Sequence, residues 1–101
     1  MVRISLLGGF AVQVDGTDIP EDAWRLRKAR SLVKLLALAP SHVLHRERAC
    51  ELLWPDRDAQ ASSNNLHQVL YAARRALEAG GADGAAVIAL RDDVLSLQGE
   101  V

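Results

Sequence analysis

A single cysteine, Cys50, occurs in the 101 residues, so no internal disulfide can staple this chain. No apolar stretch approaches the roughly eighteen residues that a membrane-crossing helix requires. The longest, Leu35 to Pro40, has the length of a core helix. No secretory leader opens the chain either, since Met1 to Leu7 offers only a brief apolar run after Arg3, and the pattern implies a soluble protein in a reduced, cytoplasmic setting. An excess of positive charge is also missing: formal net charge is −1 and the isoelectric point about 6.3, so any contact with a polyanion has to come from local charge. Repeats, low-complexity tracts and long linkers are absent.

The chemistry of an enzyme or a metal site is equally thin. His42, His45 and Cys50 could supply three metal ligands, but their spacing suits no familiar motif and a structural zinc site wants a fourth. Cys50 as a nucleophile would need His45 as base and a third group to orient it, and none is evident. Asp92 and Asp93 are adjacent, so on an extended chain they point to opposite faces, a poor arrangement for paired acid and base work. They read as turn residues. Gly8-Gly9 lacks the Lys-Ser/Thr ending of a phosphate loop and opens no helix, which leaves a turn. No enzyme, cofactor or small-molecule ligand is implied.

What is present is 50% hydrophobic content, enough for one compact core and, at this length, too little for two. Arg3 to Leu7, Phe10 to Val14 and Thr17 to Pro20, separated by Gly8-Gly9 and Asp15-Gly16, predict a short antiparallel meander. Ala29, Leu32, Val33 and Leu36 mark the buried face of a helix from Leu26 to Ala39, closed by Pro40. Arg27, Arg30 and Lys34 line its other face. Val43-Leu44 is extended. Arg46 to Leu53 predicts a second helix, burying Ala49, Cys50, Leu53 and Trp54 and stopped by Pro55. A linker from Asp56 to Ala61 leads to a third helix, Ser62 to Leu77, and the pair forms a helix-turn-helix. Gly80 to Gly84 releases the chain as a loop. Val87 to Leu90 and Val94 to Leu97, joined by Arg91-Asp92-Asp93, then predict a β-hairpin placed as the wing of a winged helix.

The third helix divides into two faces. Leu66, Leu70, Ala73 and Leu77 fall on one side, while Asn64, Gln68, Tyr71 and Arg75 fall on the other, with His67 at its margin and no carboxylate before Glu78. A solvated face usually carries Glu and Lys pairs. Amides, a phenol and a guanidinium are instead groups that can bond base edges in the major groove: Asn and Gln to adenine, Arg to guanine or phosphate, Tyr against sugar or a thymine methyl. Ser62 and Ser63, at the expected helix start, could cap it or hold a phosphate. Arg25 to Arg48 holds seven Lys and Arg side chains against Glu47 alone, and Arg46 and Arg48 are placed there as phosphate contacts. With Arg74 and, at the wing tip, Arg91, these complete the candidate phosphate and wing contacts.

The ordered series Leu6-Leu-Gly-Gly-Phe10, Arg25-Leu-Arg-Lys-Ala-Arg30, Leu35-Leu-Ala-Leu-Ala-Pro40, His45-Arg-Glu47, Leu52-Leu-Trp-Pro-Asp56, Ser63-Asn-Asn-Leu66, Tyr71-Ala-Ala-Arg-Arg-Ala-Leu77 and Leu90-Arg-Asp92 resembles the N-terminal DNA-binding domain of the Streptomyces antibiotic regulatory protein (SARP) family. The resemblance covers nearly the whole chain. It implies an α+β fold, a winged helix-turn-helix of OmpR/PhoB type: one domain spanning 1–101, with strands in 1–20, three helices in 26–79 and the wing hairpin in 85–98. It implies a bacterial transcription activator that binds double-stranded promoter DNA at direct repeats, side by side with a second copy. By position, Asn64, Asn65, His67, Gln68, Tyr71 and Arg75 belong to the base-reading helix and Arg91 to the wing. The turn before that helix, Pro55, Asp56, Arg57, Asp58, Ala59, Gln60 and Ala61, would face RNA polymerase and its sigma factor. Family members continue into a helical activation domain. At the wing tip they often carry Asp-Gly where this chain has Asp92-Asp93, and the extra carboxylate should repel phosphates. A protein-interaction module built on the same fold, without DNA binding, is the competing reading, motivated by the acidic net charge.

Overall fold

The computed structural model describes the backbone of residues 1–101 and every side chain except that of Ala59. Strands β1 (Val2–Ser5), β2 (Ala11–Val14) and β3 (Thr17–Asp18) form an antiparallel meander in that order. Alternation sets the buried side: Val2, Ile4, Val12 and Val14 point inward, while Arg3 and Ser5 point out. Gly8 and Gly9 connect β1 to β2 with φ of 73° and 133°, as the glycine pair predicts for a turn.

Helix α1 (Arg27–Leu38) buries Ala29, Leu32, Val33, Leu36 and Ala37, a stripe with helical spacing, and ends before Pro40. The extended segment after it is strand β4 (Val43–His45), followed by α2 (Arg46–Leu53). His45 caps α2, its Nδ1 accepting the Glu47 N–H at 3.2 Å, while His42 Nδ1 lies 3.3 Å from the Leu36 carbonyl oxygen. Both rings are thus held in local backbone bonds. Among the described residues no three His, Cys, Asp or Glu side chains gather as a metal site.

Helix α3 (Ala59–Ala79) is longer than the periodicity predicts and starts a turn earlier. The cause is Asp58, whose carboxylate accepts the Ala61 N–H at 2.8 Å and whose charge suits the positive end of the helix. Ser62 therefore sits inside the first turns, 2% exposed, with its N–H donated to the Asp58 carbonyl. Helix α3 buries Leu66, Val69, Leu70, Ala73, Ala76 and Leu77 in the aliphatic core shared with α1, α2 and both sheets. Among the described residues no helix is long and apolar enough to cross a membrane.

The expected loop after α3 holds a further short helix, α4 (Gly84–Val87), started by Asp83, whose carboxylate accepts the Ala86 N–H at 3.3 Å. A Cβ on Gly84 would lie 2.6 Å from the Arg74 carbonyl oxygen, so only glycine lets α4 approach α3 this closely. Strands β5 (Ile88–Arg91) and β6 (Val94–Leu97) form the hairpin, and β4 joins it to give the order β4-β6-β5. The wing is thus rooted in the segment that precedes α2. Glu100 then returns to β1, accepting the Ile4 N–H through its carbonyl and donating its N–H to Val2, while its carboxylate pairs with Arg3 at 3.1 Å.

Candidate nucleic-acid interface

The buried stripe of α3 fixes what the helix shows outward. Asn64, His67, Gln68, Tyr71 and Arg75 are exposed, Tyr71 by 66%, and Asn65 is half-buried beside them. Among the described residues the side chains of Asn64, Gln68 and Tyr71 make no hydrogen bond within the protein, so their donors and acceptors are open to a ligand. Arg75 holds a loose, exposed ion pair with Glu78 at 3.6 Å. Surface pairs of this kind contribute little and exchange readily. Arg25 and Leu26, just ahead of α1, rise beside Gln68, Tyr71 and Arg75 to form an open groove of about 650 Å³ along the strip.

The expected phosphate contacts fare differently. Arg46 is tied into the domain: its guanidinium donates to Asp93 at 3.3 Å and to the Ser63 hydroxyl, and its backbone N–H donates to the Asp93 carbonyl. One residue thereby joins α2, α3 and the wing turn. Ser62 is buried and Ser63 is taken by Arg46, so neither stands free at a helix start, because Asp58 has displaced them from it. Arg48 pairs with Glu51 at 3.3 Å, and Arg74 Nε donates to the Ile88 carbonyl at 3.0 Å, fastening α3 to β5. Arg91 is exposed at the end of β5, next to the carboxylates of the turn.

Most of the cations on α1 are likewise occupied. Arg30 pairs with Glu21 at 2.9 Å, Lys34 lies 5.4 Å above the Phe10 ring, and Lys28 donates to the Leu53 carbonyl at 2.6 Å beside Trp54. Of the seven cations between Arg25 and Arg48, only Arg25 and Arg27 have no such partner among the described residues. Sequence reasoning singles out neither of them apart from its neighbours. Their one signal is position, immediately before a helix whose later cations can fold back onto the core.

The turn between α2 and α3 is shorter than expected, Pro55 to Asp58, all exposed; Gln60 and Ala61 belong to α3. Ala59 opens that helix, and its side chain lies outside the described residues. Cys50 is half-buried on α2, where burial raises the pKa of its thiol, countered in part by Arg46 and reinforced by Glu47.

No family model matches the chain, and no curated protein sequence matches it. In structure it is similar to EmbR of Mycobacterium tuberculosis, solved in complex with a low-affinity phosphopeptide, with a TM-score of 0.77 at 20% identity. The likeness covers 97% of this chain and 25% of that one, so the sequence spans a quarter of the length of its structural neighbour. Three main helices, an N-terminal meander and a C-terminal β-hairpin that shares its sheet with the strand before α2 make this an α+β winged helix-turn-helix fold.

Proposed function

We propose that this chain is the DNA-binding domain of a transcription regulator of the SARP type, and that α3 reads the major groove of a specific duplex sequence. The observation that carries the reading is the outward strip of α3, where Asn64, Gln68, Tyr71 and Arg75 stand exposed with the amides and the phenol unbonded. A groove about 12 Å wide admits a helix, and bidentate amide or guanidinium contacts to base edges supply the discrimination. Asn65 and His67 flank the strip, and Arg91 is positioned on the wing for the neighbouring minor groove. Binding of two copies to direct repeats and activation through the turn from Pro55 to Asp58, facing RNA polymerase and its sigma factor, follow from the resemblance in sequence. The likeness in fold to EmbR supports the winged-helix part of the reading.

Selection of binding sites from a random duplex pool, followed by salt titration, tests the proposal. A recurrent site should emerge, and affinity for it should fall steeply between low and moderate salt, as it does when phosphate counterions are released. The net charge of −1 and the Asp92-Asp93 wing favour a second reading, a protein-interaction module. An interface of that kind would yield no recurrent duplex site.

A further inference from the structure

We propose that Arg25, Arg27 and Arg57 form a phosphate track along one flank of α3, on the side away from the wing. The inference rests on the DNA-binding reading and assigns the contacts with one backbone strand. At about 100° per residue, Ser63 and Arg74 lie on one side of the outward strip, and Asn65 and Ala72 on the other. The first side belongs to the wing, through the Arg46 link between Ser63 and Asp93 and the bond from Arg74 to Ile88. The second side is bordered by the residues before α1 and by the α2–α3 turn. Arg25 shares a groove with Gln68 and Tyr71, and Arg27 and Arg57 share a further groove of about 240 Å³ with Asn65 and Gln68. The arginines thus follow α3 along its length, Arg57 near its start and Arg25 beside its middle.

Charge separates this flank from the alternatives. No carboxylate lines either groove, whereas the groove that holds Arg46, and that Arg57 borders from its other side, also holds Glu47 and Glu51. Among the described residues the guanidinium groups of Arg25, Arg27 and Arg57 have no hydrogen bond or ion pair, and all three residues are exposed. A helix seated in the major groove has a phosphate rim on each side. The wing serves one, and planar guanidinium groups with open donors suit the other. Two of the seven cations of the basic segment, Arg25 and Arg27, thereby stand beside the reading helix, and Arg57 joins them from the α2–α3 turn.

The test measures affinity against salt for the full chain on two probes: a duplex selected by this protein from a random pool, and a scrambled duplex of the same composition. Arg25→Gln, Arg27→Gln and Arg57→Gln should each flatten the slope of log affinity against log salt by about 0.9, and weaken both duplexes to a similar extent. The lysine versions should keep the slope. Arg3→Gln, which removes a charge paired with Glu100 on the N-terminal sheet, is the control for general electrostatics. Unaltered slopes in the three variants, with Gln68→Ala still lowering selectivity, would overturn the track while leaving the DNA reading in place. Equal flattening by Arg3→Gln would overturn it as well. Failure of the unaltered chain to bind any duplex would remove the DNA reading and the track together. Because the three side chains have no partners among the described residues, the melting temperatures of the variants should match the parent chain, which separates a binding defect from a folding one.

Discussion

Gln68 stands at the centre of the outward strip, between Asn64 and Tyr71 and in contact with both grooves that border it. Its amide has no role in holding the fold, so truncation should act on recognition alone. Gln68→Ala is expected to lose about 1–3 kcal/mol of binding to the selected duplex and to relax base preference at one position, with the melting temperature unchanged. Competition binding with single-base variants of the site measures this; parallel losses on selected and scrambled duplexes would rule out direct readout by Gln68. Cys50 makes a separate prediction. Its thiol pKa is raised by burial, so as pH climbs through the ordinary thiol range, near about 8.5, the unfolded chain releases its proton first. The thiol's contribution to stability is therefore present below that range and lost as pH rises through it. Cys50→Ala should flatten the alkaline decline of the thermal midpoint, and an identical decline in both proteins would show that the thiol is not responsible.

At the scale of elements, periodicity made α1, α2 and the two hairpin strands of the wing legible, because each carries its buried stripe in sequence. The start of α3 was less so: tandem serines are good caps, but Asp58 upstream is a better one, and a cap is decided by competition between neighbours. The third strand of the wing was hidden because Val43 to His45 is too short to identify its partner without the fold. The wing turn carries its own prediction. Asp92 and Asp93 both have left-handed φ, 51° and 64°, where glycine is unstrained. Only Asp93 also holds Arg46. Asp92→Gly should raise stability, by up to about 1 kcal/mol, whereas Asp93→Gly gains the same relief and loses the tie between wing, α2 and α3. Chemical denaturation compares them; equal stabilisation by both would mean that the Arg46 contact holds nothing together.

At the scale of the molecule, the proposed duplex reading by a chain of net charge −1 depends on the fold sorting its charges. The sequence shows a basic segment but not which of its cations will turn back on the core, since that depends on contacts as distant as Lys34 with Phe10 and Arg46 with Asp93. The outward strip of α3 was legible because helical periodicity alone separates it from the core stripe. The flanking arginines were not, because their value lies in what they fail to contact. The most direct test of the account is an NMR titration of the chain with its selected duplex, following the side-chain amide signals of Asn64 and Gln68. Those signals and the backbone amides of α3 from Asn64 to Arg75 should show the largest shifts. Shifts centred instead on the N-terminal sheet, around Arg3 and Glu100, with the Asn64 and Gln68 amides unmoved, would contradict it.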